Sequence, residues 1–231
     1  MARTLLCLVG AVLSGACTAC GGGITGYRGA PIDGRVVDTV SKAPLVGVIV
    51  VVKWNIEYWI HDVSAGNMLI GETLTDADGA YAFPAWGPRW PPPGTSLDRG
   101  APDLVFFKPG YTLLRRGNEY RGQSLPSLRS SQWSGRVVEL APPTDAKLAA
   151  WRDAGAFNSI LGAADPCAWQ QVPRFTAAAL RHAQTHAETR IPSLAALWLG
   201  QPSFETLESL DRKPNLPKRC ADPRVALKEY L

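Results

Sequence analysis

Two histidines four residues apart, His182 and His186, are side chains in this 231-residue chain that could share a metal ion. On a helix that spacing stacks them on one face, together with Phe175 and Ala179. A zinc peptidase of the familiar kind reads His-Glu-x-x-His, where the glutamate is the base for the metal-bound water. Here the string is His182-Ala183-Gln184-Thr185-His186, with no such glutamate. The remaining histidine is His61, and Glu188 falls on a different helical face. A packed, hydrogen-bonded pair is the expectation, with no metal and no other cofactor. Asp76-Ala77-Asp78-Gly79 invites a calcium reading, but such a loop closes with a carboxylate at its twelfth position, where this chain has Gly87. A simple turn follows instead, with the aspartates bonding backbone N–H groups. There is no Gly-x-Ser-x-Gly elbow and no phosphate loop. Glu205 and Glu208 read as solvent-facing on an amphipathic stretch. The expectation is a protein that is not an enzyme; a metal-dependent hydrolase on His182 and His186 is the alternative.

The five cysteines carry more information. Met1–Cys20 reads MARTLLCLVGAVLSGACTAC: one arginine, an apolar stretch, then small residues. That is the layout of an export signal. A bacterial lipoprotein signal places small residues before a cysteine whose thiol takes a diacylglycerol. Cys20, after Thr18 and Ala19, is the expected lipidation site, although Cys17 stands where leucine is usual. Cys17, after Gly15 and Ala16, is the alternative. Plain secretion, with cleavage after Ala19 or Ala16, is the other reading. Residue 21 is not aspartate, which points to an outer membrane, facing the periplasm, rather than an inner one. A secreted or soluble periplasmic protein is the alternative. Residues 21–30 then form a Gly-rich tether. Cys7 lies inside the signal, so Cys167 and Cys220 remain. In an exported chain such a pair is expected as a disulfide.

Composition sets the outer limits. Hydrophobic residues are 46% and charged residues 19%, an ordinary globular balance. A net charge of +4 without any Lys/Arg tract argues against a nucleic-acid partner. No internal apolar run reaches the roughly 18 residues a membrane span needs.

The elements that must position these residues change character along the chain. Residues 31–141 alternate. In Leu45–Trp59, Val48, Val50, Val52, Trp54, Ile56 and Tyr58 fall on one face, and Ile49, Val51, Lys53, Asn55, Glu57 and Trp59 on the other. The start of this strand is thus apolar on both faces. Further strands are expected at Ile32–Asp38, Met68–Thr75, Ala80–Phe83, Leu104–Phe107, Tyr111–Leu114 and Val137–Leu140. Tyr81 and Phe83 should point inward. About seven short strands with regular turn signals make a two-sheet sandwich the natural architecture.

Three spaced strings carry a resemblance: Gly34-Arg35-Val36-Val37-Asp38, Pro44-Leu45-Val46-Gly47-Val48, and Thr75-Asp76-Ala77-Asp78-Gly79-Ala80-Tyr81-Ala82-Phe83. Together they resemble the carboxypeptidase regulatory-like domain, and Phe83–Gly87 and Phe107–Tyr111 look like a bacterial branch of it on exported proteins. The resemblance covers residues 31–141. It implies a mainly β, transthyretin-like (prealbumin-like) seven-stranded sandwich and an accessory role, with no ligand specified. The long Trp-rich loop Pro84–Pro102 and the insertion Gly117–Gly135 depart from the pattern.

Trp86, Trp90 and Trp133 fall in these loops, and Trp59 has the outward phase of its strand. Exposed indoles can stack on sugar rings or anchor a protein interface; the competing reading is aromatic filling over an open end of the sandwich. A protein or a glycan is therefore the expected partner, beside the lipid anchor. Arg115, Arg116 and Arg121 form either a solvated face or a contact for anionic glycan or lipid head groups.

Residues 142–231 read as a helical C-terminal extension. Thr144 can cap a helix over Asp145–Ala154, with Gly155 as its stop. Asp165-Pro166 and Asp222-Pro223 each place a cap before a proline. Helices are expected over Arg174–Thr189, Ser193–Leu199, Ser203–Leu210 and Val225–Leu231. Short helices need a surface to pack on. The whole reads as a non-catalytic envelope lipoprotein that binds or scaffolds, with a carbohydrate-binding module as the alternative; its oligomeric state is not readable.

Overall fold

The longest run of β-branched residues forms the centre of the molecule. Ile49–Tyr58 is a ten-residue strand (β3) whose first half is buried on both faces. Its even-numbered side chains, Val50, Val52, Trp54 and Ile56, enter one hydrophobic core, and Ile49 and Val51 enter another. A strand that is apolar on both faces must be covered twice, and the chain supplies two different covers. The structure is a computed structural model that describes residues 26–60, 63–119, 127–161, 167–185 and 220–230.

The first cover is a second sheet. β3 lies in a sheet between Ser64–Leu74 (β4) and Asp103–Phe107 (β8), and β8 in turn pairs Leu114–Arg116 (β9). Thr95–Leu97 (β7) pairs the far end of β3, Ile56 to Tyr58. Facing this sheet, Ile32–Asp38 (β2) pairs antiparallel with Ala80–Phe83 (β5) and parallel with Arg136–Leu140 (β11). The core between them holds Ile32, Val36, Tyr81, Leu104, Phe106, Val138 and Leu140 beside the even residues of β3. A small ribbon closes one end, in which Tyr27–Gly29 (β1) lies between Trp86–Arg89 (β6) and Leu128–Arg129 (β10).

The second cover is helical. Ala146–Leu161 (α1), a 3-10 turn at Ala168–Gln171, Pro173–Thr185 (α2) and Pro223–Ala226 (α3) line the opposite face of the β4-β3-β8-β9 sheet. Phe157, Trp169, Phe175 and Leu227 pack there on Ile49, Val51, Val105 and Phe107. Phe107, Phe157 and Phe175 meet edge-on or tilted, with centroids 4.9–6.4 Å apart. The fold is mainly β, a sandwich with a short helical extension, and the extension covers a sheet face rather than an end.

Several local expectations hold. Asp76 Oδ1 accepts N–H bonds from Asp78 and Ala80, both 2.9 Å, and Gly79 takes φ 70°. Tyr81 is buried, and its ring lies over Gly34, where a Cβ would come within 2.6 Å of the hydroxyl. Among the described residues that hydroxyl has no bonding partner, and burial pushes its pKa up to about 12.

Other expectations are corrected. The long loop carries β6 and β7, and the insertion carries β10. Tyr111 lies in a turn, and the strand begins at Leu114. α1 does not stop at Gly155 but runs to Leu161, because Phe157, Ile160 and Leu161 continue its buried face. Packing outweighs the roughly 1 kcal/mol a mid-helix glycine costs. The last helix begins at Pro223, not Val225, and ends at Ala226. Lying outside the described residues are Cys17, Cys20, His61, Arg121, Asp165-Pro166, His186, Glu188, Glu205, Glu208 and the helices expected over 193–199 and 203–210.

Two polar devices fasten the helical layer. Glu72, on β4, has a side chain only 3% exposed and accepts bonds from the backbone N–H groups of Arg174 and Phe175, at 2.8 and 2.9 Å. Its carboxylate thus caps the first turn of α2 from another layer. Lys53, also buried, sends its ammonium to the Ser159 carbonyl, 3.3 Å away near the end of α1. Burial, then the nearby Arg115 charge, pulls its pKa down. A disulfide joins Cys167 to Cys220, tying the approach to α2 to the start of α3.

Candidate functional site

The exposed apolar surface that sequence reasoning only partly located is the tip of the β3–β4 hairpin. β3 outruns its buried core at Tyr58, whose N–H bonds the Val63 carbonyl at 2.9 Å. Beyond that point apolar residues stand where none of the described layers covers them. Tyr58 is 50% exposed, Trp59 63%, Ile60 84% and Val63 55%.

The loop between β6 and β7 comes alongside. Trp59 N–H donates to the Gly94 carbonyl at 3.2 Å, and Thr95 folds back on Pro92 through both its N–H and its hydroxyl. Just before that proline run stands Trp90, 61% exposed. Gly26 runs against its indole: a Cβ on Gly26 would lie 2.9 Å from Trp90 Cε2. Two indoles, a phenol and two aliphatic side chains are thus exposed on the hairpin end and the loop bonded to it. Amphipathic rings of this kind suit a boundary between apolar and aqueous media.

The other two loop tryptophans serve packing. Trp86 is on β6, not in a loop; its ring meets Trp54 edge-on at 4.9 Å and lies across Gly29. Trp133 donates its Nε1–H to the Gly117 carbonyl at 3.1 Å, and the Arg116 and Arg136 guanidinium groups stand 4.9 and 5.9 Å from its ring. Of the expected Trp86, Trp90 and Trp133, Trp90 alone presents a largely open ring. Ile60 and Val63 escaped sequence reasoning because an apolar residue two positions past a buried strand looks like more core. The turn signal His61-Asp62 was available to mark the end.

The basic cluster is divided. Arg115 is paired with Asp103, which also accepts a bond from Asn55 at 2.9 Å, and Arg116 stacks on Trp133. His182 lies on α2, its Nε2 3.0 Å from the Ala150 carbonyl and its ring 5.3 Å from Phe157. It borders a cleft of about 440 Å³ between α1, α2 and the turn after β8, with Tyr111 and the buried Asp153 on its walls. Asp153 Oδ1 accepts the Leu113 N–H at 3.3 Å. Both polar groups therefore hold the helices to one another and to the sheet. Among the described residues no three His, Cys, Asp or Glu side chains are placed to hold a metal ion, and no helix is long and apolar enough to cross a membrane.

No family model matches the chain, and no curated protein does. Solved structures similar to it include the group B streptococcus pilus 2b backbone protein, at 20% identity and TM-score 0.25, over 50% of this chain and 42% of that one. They also include a dioxygenase domain from Streptomyces sp. SirexAA-E, at 16% identity and TM-score 0.30, over 54% and 84%. A third is 3-chlorocatechol 1,2-dioxygenase from Rhodococcus opacus 1CP, at 16% identity and TM-score 0.27, over 51% and 60%. This chain thus spans less than half of the pilin's length. At such identities no activity carries over from any of them. The expectation that the protein is not an enzyme is corrected: dioxygenases stand among the similar structures, and an absence of sequence motifs does not by itself exclude catalysis.

Proposed function

We propose that this protein is an exported, lipid-anchored envelope protein whose sandwich and helical layer form a rigid body for binding or scaffolding. The observation that carries the binding role is the exposure of Tyr58, Trp59, Ile60 and Val63 at the β3–β4 hairpin and of Trp90 in the loop bonded to it, on a body whose other large aromatics are mostly packed. The Cys167–Cys220 bridge supports an oxidising compartment. The signal-like Met1–Cys20 supports export, with Cys20 as the acylated residue and Cys17 as its alternative. An outer membrane, with the body facing the periplasm, is the location this signal favours. The sandwich is of the transthyretin-like kind, a reading supported by the β2 string and the Asp76–Gly79 turn that leads into β5.

Feeding cells a fatty-acid analogue tests the anchor. Label should enter the protein and disappear with Cys20→Ala. Label lost only with Cys17→Ala moves the anchor to that residue, and an unlabelled protein in the soluble fraction refutes lipidation.

A further inference from the structure

We infer that the aromatic tip rests on the phospholipid surface to which the chain is anchored. This deepens the lipoprotein reading and rests on it. Gly26 is buried against the indole of Trp90. From Cys20 to Gly26 is six residues, and an extended chain spans at most about 3.5 Å per residue. The anchor therefore holds Trp90 within about 20 Å of the bilayer, or about 30 Å if Cys17 carries the lipid. A folded chain of this length is about 40 Å across. With Cys20 as anchor, the tether is shorter than the body, so the end bearing Trp90 faces the membrane.

The hairpin tip is at that same end, since Trp59 bonds Gly94 in the loop that Trp90 opens. Its composition fits the occupant. Tryptophan and tyrosine favour the head-group region, where the ring is apolar and its N–H or O–H stays wet. Ile60 and Val63 can enter the acyl boundary. Arg28 and Arg89, exposed on the neighbouring β1 and β6, are placed to meet anionic head groups. A contact too weak to hold a free protein suffices once a tether raises its effective concentration.

The test uses the full acylated chain reconstituted in phosphatidylethanolamine–phosphatidylglycerol vesicles, with and without phospholipid brominated near the head-group end of its chains. Mass spectrometry first establishes acylation; its absence overturns the lipoprotein reading and this inference with it. In the acylated protein, brominated lipid should quench Trp59 and Trp90, two of the eight tryptophans, so roughly a quarter of the emission. The quenching should vanish in a Trp59→Ser/Trp90→Ser variant. Ile60→Glu, at a site 84% exposed and so safe for folding, should reduce it at least twofold. Acylated protein with unquenched tryptophans overturns the inference and leaves the anchor standing. Quenching that survives in the double variant overturns it too, as does a shift of Trp90 emission by a soluble glucan but not by vesicles.

Discussion

Replacing Glu72 tests whether the helical layer is fastened to the sandwich as described. Its carboxylate is almost wholly enclosed and serves two backbone N–H groups, those of Arg174 and the fully buried Phe175. Glu72→Ala leaves both without their acceptor. A buried, unmet N–H costs about 1–3 kcal/mol, and Arg174 can turn partly to water, so the loss should be about 2–4 kcal/mol. The Arg174 guanidinium, 3.5 Å away and 44% exposed, adds little. Glu72→Gln should cost less, about 1 kcal/mol, because the amide keeps one acceptor oxygen and carries no buried charge. The direction of the carboxyl's titration supports that order: burial holds it above its usual value of 4.5, against the pull of the Phe175 and Arg174 N–H groups. A raised native pKa means the folded state binds the proton more tightly. Its contribution is complete below the unfolded value and falls away as pH rises through the folded one. Wild-type stability should therefore decline across that window, and both variants should lose this part of the slope. Thermal melts at several pH values read the effect, at about 2–4 °C per kcal/mol for a chain of this size. A Glu72→Ala protein melting within about 1 °C of its parent, or a Gln variant weaker than the Ala variant, refutes the reasoning.

Reducing the Cys167–Cys220 bridge, whose cysteines are 53 residues apart, should lower stability by up to about 4 kcal/mol on the chain-entropy model, read by denaturant titration with and without reductant. Unchanged midpoints would show that the loop is equally confined without it. Gly29→Ala would place a Cβ 2.0 Å from Trp86 Nε1; the ring must move off Trp54, costing about 1–3 kcal/mol and changing the near-ultraviolet dichroism. A silent substitution would mean that Trp86 is loosely held. Asp38 is held below 3.8 by the Ser41 N–H and then the Tyr111 hydroxyl. Its contribution is present above that unfolded value and lost as pH falls through the lower native one. Hydrogen exchange at Val40 and Ser41 should quicken only in that acid range, and Asp38→Asn should remove the pH step.

The parts of this fold that could be read in advance are those dictated by neighbouring residues. The period-two pattern of β3, the Asp76–Gly79 turn and the inward Tyr81 each follow from side chains a few positions apart. Even the double-sided apolar start of β3 announced that something must lie behind it. What lay behind it was not legible, because the Glu72 cap joins residues 102 apart and the covering phenylalanines come from separate helices. α1 outran its glycine for the same reason: the evidence that it should continue lies in the sheet beneath. The site was half visible. Trp90 could be named from its proline-rich setting, whereas Trp86 and Trp133 look alike in sequence and differ in finding the buried Trp54 ring and the Gly117 carbonyl to rest on.

The sheet clothed on both sides also bears on how such a protein can be inherited or cut. A gene fragment ending after Leu140 would encode a sandwich with a greasy back, and Ile49, Val51, Val105 and Phe107 would stick to whatever came near. Shuffling of modules would thus have to carry the helices along with the strands. A trimmed expression clone stopping at the same point should precipitate.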